Sequence, residues 1–177
     1  MVPAIALAVM LGAPTAIAGD DAVITSISKE YNQAQATIKT HKRSQAKNDM
    51  VTTMRYDVPG KGAAVETLHF FFNVEQYGDQ GEFINYQLFF VTRQLSLGGR
   101  KYYEEYLYDS QTGQLSFTVK RDYDSDGNRV EKRFYYRDGT IYRTVGGPLN
   151  LYEDELTYFL GQDYRHAFDN LMRNAKE

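Results

Sequence analysis

The segment QLSFTVK, residues 114 to 120, puts Leu115, Phe117 and Val119 on one side of an extended chain and Ser116, Thr118 and Lys120 on the other. Strict alternation of this kind is the mark of a half-buried antiparallel strand. The same period runs through ETLHFFFNV, with Leu68, Phe70, Phe72 and Val74 in register, and through FINYQLFFV, with Ile84, Tyr86, Leu88 and Phe90. MVTTMRYDV reads as an earlier strand that stops at Pro59-Gly60. Turn chemistry recurs at short intervals: GDQG from 78, LGG from 97, SQTG from 110, SDGN from 125 and RDGT from 137. Short strands joined by tight turns make a meander of six to seven strands.

Helical period brackets this tract. Ile24, Ile27, Tyr31, Ala34 and Ile38 recur at steps of three and four, with Asp20 and Asp21 placed to cap the start. Near the C-terminus Leu156, Leu160, Tyr164, Ala167, Phe168 and Leu171 do the same. Gly161 falls inside that stripe, at a cost of about 1 kcal/mol against alanine, so one weakened helix or two short ones are expected. The chain therefore reads as an α+β domain over residues 19–177: an N-terminal helix, a six- to seven-stranded antiparallel meander sheet, and a C-terminal helix packed on it. Both helices are expected over a single apolar sheet face. The 177 residues suit one domain with a core of its own.

DYDSDGN, residues 122 to 128, admits two readings. Asp122, Asp124 and Asp126 followed by Gly127 open like a calcium loop. Counted from Asp122, however, the twelfth position is Arg133, where such a loop wants a bidentate glutamate, and the eighth is Arg129. Asp126-Gly127 as a two-residue hairpin turn instead sets Asp124 against Arg129, Val119 against Phe134 and Phe117 against Tyr136. The hairpin is the reading adopted; calcium at the three aspartates is the alternative. Asp138-Gly139 repeats the device and pairs Tyr136 with Ile141 and Tyr135 with Tyr142. The tract from Tyr106 to Arg143 resembles YD-type repeats of secreted β-rich proteins in its recurring tyrosines and Asp-Gly turns, over less than a quarter of the chain. No function follows from that resemblance.

Residues 1 to 18 carry no charged side chain and end Ala16-Ile17-Ala18, a small-x-small pattern that fits signal-peptidase cleavage. A basic segment ahead of it is missing, since Lys29 is the first lysine or arginine. Export to the periplasm or the exterior is the expectation, with no transmembrane span in the mature chain. There is no cysteine, so disulfides, thiol catalysis and cysteine lipidation are excluded. A net charge of −3 and a pI near 5.7 argue against a nucleic-acid partner.

No catalytic constellation is visible. His41, His69 and His166 lack zinc-ligand spacing, and GKGAAV at 60 to 65 has no helix pattern after it. Glu104 and Glu105 are adjacent in a strand and so point to opposite faces. No cofactor is expected. With Tyr108 facing Leu115, the ladder places Tyr106 against Phe117 and Glu104 against Val119, so Glu104, Arg121, Lys132 and Arg143 fall among aromatics. The expected activity is non-catalytic binding of an envelope protein, glycan or apolar ligand. Tyr103, Tyr106, Tyr135, Tyr142, Glu104 and Arg143 are the candidate contact residues, and Tyr103, Tyr135 and Tyr142 are expected to be exposed. A carrier of an apolar ligand, similar in architecture to half-barrel lipoprotein carriers, is a second expectation. Phe70, Phe72, Tyr86, Phe90, Tyr106 and Phe117 would then line its cavity. A hydrolase without a recognisable motif is the third.

Overall fold

The computed structural model describes residues 22–41, 48–78, 83–123, 128–147 and 151–174. Its elements are α1 (Ala22–His41), seven strands, and α2 (Leu151–Asn174). The strands are β1 (Asp49–Val58), β2 (Gly62–Tyr77), β3 (Phe83–Leu97), β4 (Arg100–Tyr108), β5 (Leu115–Tyr123), β6 (Arg129–Arg137) and β7 (Thr140–Val145). They form one antiparallel sheet in chain order, as the turn spacing implies. Among the described residues no helix is long and apolar enough to cross a membrane. The expected leader, residues 1 to 18, and the expected caps Asp20 and Asp21 lie outside the described residues.

The helices do not share a face. α1 packs Ile27, Ala34 and Ile38 on Phe71, Phe89, Phe90, Leu107, Phe117, Val119 and Tyr135. α2 packs Tyr164 and Phe168 on the other side, against Leu68, Phe70, Phe72, Leu88, Val91, Tyr106, Tyr108, Leu115, Phe134 and Tyr136. The central strands are thus buried on both faces. This explains their unbroken apolar runs: Phe70-Phe71-Phe72, Phe89-Phe90-Val91, Tyr106-Leu107-Tyr108 and Phe134-Tyr135-Tyr136 are all buried. A strand covered on two sides has no polar face to keep.

Three register shifts exchange residues between these faces. They fall at Phe71/Phe72 against β3, Leu107/Tyr108 against β5 and Tyr135/Tyr136 against β7. The extra residues that the ladder registers skip are Phe89, Ser116 and Tyr142. Tyr108 does face Leu115, but beyond the bulge Leu107 faces Phe117, Tyr106 faces Thr118 and Glu105 faces Val119. Tyr136 does face Ile141, across a turn whose Asp138 and Gly139 both have positive φ (50° and 76°), while Tyr135 faces Arg143 rather than Tyr142.

The β5–β6 register also departs from expectation by one residue. Tyr123 faces Arg129, Arg121 faces Glu131 and Val119 faces Arg133, so the connection is five residues, 124 to 128. Alternation fixes a register only where one face must stay dry. Here both faces are covered, and the Arg121–Glu131 ion pair and the Phe117–Tyr135 contact, 4.8 Å between centroids, accompany the register found. Asp124, Asp126 and Gly127 lie outside the described residues; Asp122 is a half-buried residue next to the end of β5.

Gly161 is not a break. α2 is continuous through it, and a Cβ there would lie 2.6 Å from Leu115 Cδ2 and 3.1 Å from Tyr106 Cδ1. The glycine lets the helix backbone approach the sheet closely enough for the Tyr108 hydroxyl to donate to the Gly161 carbonyl at 2.6 Å. The buried stripe accordingly runs Thr157, Gly161, Tyr164 and Phe168, whereas Leu156 and Leu171 are exposed.

Candidate functional site

Beyond the aromatic core each sheet face carries a row of paired charges. Under α2, Arg93 of β3 donates from Nε to Glu66 Oε1 at 2.5 Å and from Nη1 to Glu104 Oε2 at 3.1 Å. The Tyr106 hydroxyl donates to the same Glu104 oxygen at 2.5 Å, and Tyr56 to Glu66 at 2.9 Å. Lys120 Nζ stands 3.7 Å from the other Glu104 oxygen. Burial and the adjacent Glu104 carboxylate push the Tyr106 hydroxyl well above its ordinary pKa.

Under α1 the pattern repeats with different residues. Arg121 bridges Glu105 at 3.0 Å and Glu131 at 2.9 Å, and Arg133 reaches Glu131 through Nε at 2.8 Å. Tyr31 of α1 donates to Glu105 at 2.6 Å, tying the helix to the sheet. Burial, then the Glu105 carboxylate, raises the Tyr31 and Tyr103 hydroxyls; the Arg121 guanidinium lies 5.1 Å over the Tyr103 ring. Burial alone would push the Glu131 carboxyl up, but Arg133 and Arg121 outweigh it and hold the group low. Each buried glutamate thus has a fixed cation, which is what keeps charge tolerable at this depth. The rows clamp the structure.

No protein family, curated protein or solved structure matches this chain.

The candidate contact residues do not form one surface. Glu104 and Tyr106 meet each other under α2, and both are buried. Tyr103 is half-buried on the α1 side, and Tyr135 is buried there against Phe117, not exposed. Arg143 pairs with Tyr135 across the β6–β7 ladder, while Tyr142 alone of the three expected tyrosines is exposed, at 41%. The row read as Glu104, Arg121, Lys132 and Arg143 on one face is split by the bulges and by the β5–β6 register: Glu104 and Lys132 face α2, Arg121 and Arg143 face α1. The aromatics assigned to a carrier cavity are likewise divided. Phe70, Phe72, Tyr86 and Tyr106 pack towards α2, Phe90 and Phe117 towards α1.

A different feature offers room for a ligand. A groove of about 270 Å³ opens between α1 and the sheet, lined by Glu30, Gln33, Ala34, Thr37, Asn73, Phe89, Leu107, Tyr108 and Ser110. Its floor is apolar: Ala34, Phe89 and Leu107 are buried. Its rim is polar, with an amide from each of α1 and β2, two hydroxyls and the Glu30 carboxyl. The wall at 109 to 114 is a fixed turn. Asp109 accepts the N–H of Gln111 at 3.0 Å and the N–H and hydroxyl of Thr112 at 2.6 and 2.8 Å. Gly113 donates back to the Asp109 carbonyl at 2.8 Å, Gln87 donates to the Ser110 carbonyl, and Arg165 of α2 donates to that of Gly113. Burial pushes the Asp109 carboxyl up, but the Thr112 and Gln111 donors outweigh it and leave it low. Burial, and then Asp109, raises Glu30.

Sequence reasoning missed this groove. It depends on the small Ala34 within the α1 stripe and on Phe89, the bulge residue that turns towards α1. Only the first of these is visible in the sequence.

Proposed function

We propose that the protein is an exported, non-catalytic binding module, and that the groove beneath α1 is its recognition site. The observation that carries this reading is the pairing of an apolar floor with converging amide, hydroxyl and carboxyl groups on rigid elements, the usual make-up of a small-molecule site. The groove's volume of about 270 Å³ falls just below such sites, which run from about 300 to 1,000 Å³. It suits one unit of a larger ligand. Donors and acceptors from Gln33, Thr37, Asn73 and Ser110 around an apolar floor that includes the Phe89 ring fit a hydroxyl-bearing ring, and Glu30 disfavours an anion. A neutral glycan is therefore the ligand class. Export is supported by the uncharged stretch ending Ala16-Ile17-Ala18.

The test is binding of the labelled protein to an immobilised panel of neutral and acidic glycans, repeated with Thr37→Trp, which fills the groove from its half-exposed rim. Selective retention on neutral glycans, lost in the variant, supports the reading. Retention unaffected by Thr37→Trp, or none on any glycan, contradicts it.

A further inference from the structure

The two rims of the sheet differ in kind. β7 has six residues and is interrupted by the bulge at Tyr142. Short, bulged edges resist the addition of another strand. β1 has ten residues, pairs with β2 without a break from Asp49 to Val58, and contains neither proline nor lysine. Val51, Met54 and Tyr56 on it are exposed at 56%, 39% and 41%. The Asn48 carbonyl accepts the Phe72 N–H at 3.1 Å, so even-numbered residues of β1 turn their main chain to β2. Asp49, Val51, Thr53, Arg55 and Asp57 then turn theirs outward.

We propose that this edge receives a second copy of the chain, its β1 antiparallel to the first, with the two-fold axis perpendicular to the sheet through Thr52. Such an axis keeps the α1 side of both copies on one face, so residues of like parity must meet. Around Thr52, Val51 faces Thr53 of the second copy and Asp49 faces Arg55, and each of these pairs occurs twice. On the α2 side Met50 faces Met54 and Thr52 faces its mate. No neighbouring register sets Asp49 against Arg55. An axis through Thr53 sets Asp49 against Asp57, and one through Met54 sets Val51 against Asp57. Charge complementarity across strands therefore selects both the partner and its register. Asp49 also holds His69 of its own chain at 2.7 Å, which fixes the carboxylate at the rim. This interface is independent of the groove and of what the groove binds.

Sedimentation equilibrium of the purified protein, with near-UV circular dichroism to check the fold, tests it. The wild type shows a monomer–dimer equilibrium. Arg55→Asp and Asp49→Arg each weaken it about tenfold or more, because two attractive pairs become repulsive. The double exchange, Asp49→Arg with Arg55→Asp, restores it. Thr53→Pro, which removes an outward N–H, abolishes it. Should Asp49→Arg disturb the fold through His69, Arg55→Asp and Thr53→Pro carry the test. A wild type that stays monomeric at every concentration overturns the proposal. So does a dimer unmoved by Arg55→Asp and Thr53→Pro, or a folded double exchange no tighter than the single variants.

Discussion

Glu104 and Glu105 are consecutive in β4, yet they belong to different halves of the molecule. Glu104 receives Arg93 and Tyr106 beneath α2, and Glu105 receives Arg121 and Tyr31 beneath α1. The sheet lies between the two networks, so they are energetically separate. Removing the shared cation of either row strands buried carboxylates, at a cost of about 3–5 kcal/mol for a buried pair. Arg93→Met strands Glu66 and leaves Glu104 only Lys120, and Arg121→Met strands Glu105 and leaves Glu131 only Arg133, so both fall in that range. In urea unfolding the two losses add to within about 0.5 kcal/mol. Strong coupling between them would mean that the two faces are not independent.

Gly161 offers a case where helix propensity and packing disagree. Alanine in mid-helix gains about 1 kcal/mol over glycine. Its Cβ would stand 2.6 Å from Leu115 Cδ2, in a core where Leu115 and Tyr106 have no room to yield. Overpacking of that kind costs about 1–3 kcal/mol. Gly161→Ala lowers the melting temperature, and Gly161→Val lowers it further. A rise for alanine would show that α2 sits farther from the sheet.

Thr118 is fully buried, and its hydroxyl has no hydrogen-bond partner among the described residues. An unsatisfied buried hydroxyl costs about 1–3 kcal/mol. Thr118→Val keeps the shape and suits a strand. It is expected to stabilise the protein by about 1 kcal/mol, read as a higher midpoint in urea with an unchanged slope. A lower midpoint would show that the hydroxyl is in use.

Glu30 gives a pH-dependent signature. Its folded pKa is raised by burial and by Asp109, so its contribution to stability is fully present below the unfolded pKa and is lost as pH rises through the folded value. The charged form is therefore a liability at neutral pH. Glu30→Gln raises the melting temperature at pH 7, and the gain disappears near pH 3, where the native residue is already protonated. Asp109 and Glu131 have lowered values and behave oppositely: their contribution is present above the ordinary carboxylate pKa and fades as acid passes their folded values. An equal Glu30→Gln effect at both pH values would contradict the assignment.

The strands, their order and the two helices were legible in the sequence because period two, period 3.6 and Asp-Gly or Pro-Gly turns are local signals. The separation of Glu104 from Glu105 was legible for the same reason. The placement of α1 and α2 on opposite faces was not read, although FFF and FYY runs hint at strands covered on both sides. Bulges at Phe89, Ser116 and Tyr142 leave no local signature, and each moves the residues beyond it to the other face. Together with the β5–β6 register they divide the expected row of charges, while Tyr135 is core rather than surface because α1 covers the face it turns to. The β5–β6 register was misread because opposition of apolar residues was used as the criterion where both faces are buried. Gly161 looked like a weakness because only the helix, and not its distance from Leu115, can be read from the chain.

The most direct measurement is a ¹⁵N-amide NMR titration of the protein with a neutral oligosaccharide retained on the glycan panel. The account predicts saturable shifts confined to Glu30, Gln33, Thr37, Asn73, Ser110 and their neighbours, and none in the Thr37→Trp variant. Shifts that cluster elsewhere, on the outer face of α2 around the exposed Phe159 for instance, or an unchanged spectrum at saturating ligand, would contradict it.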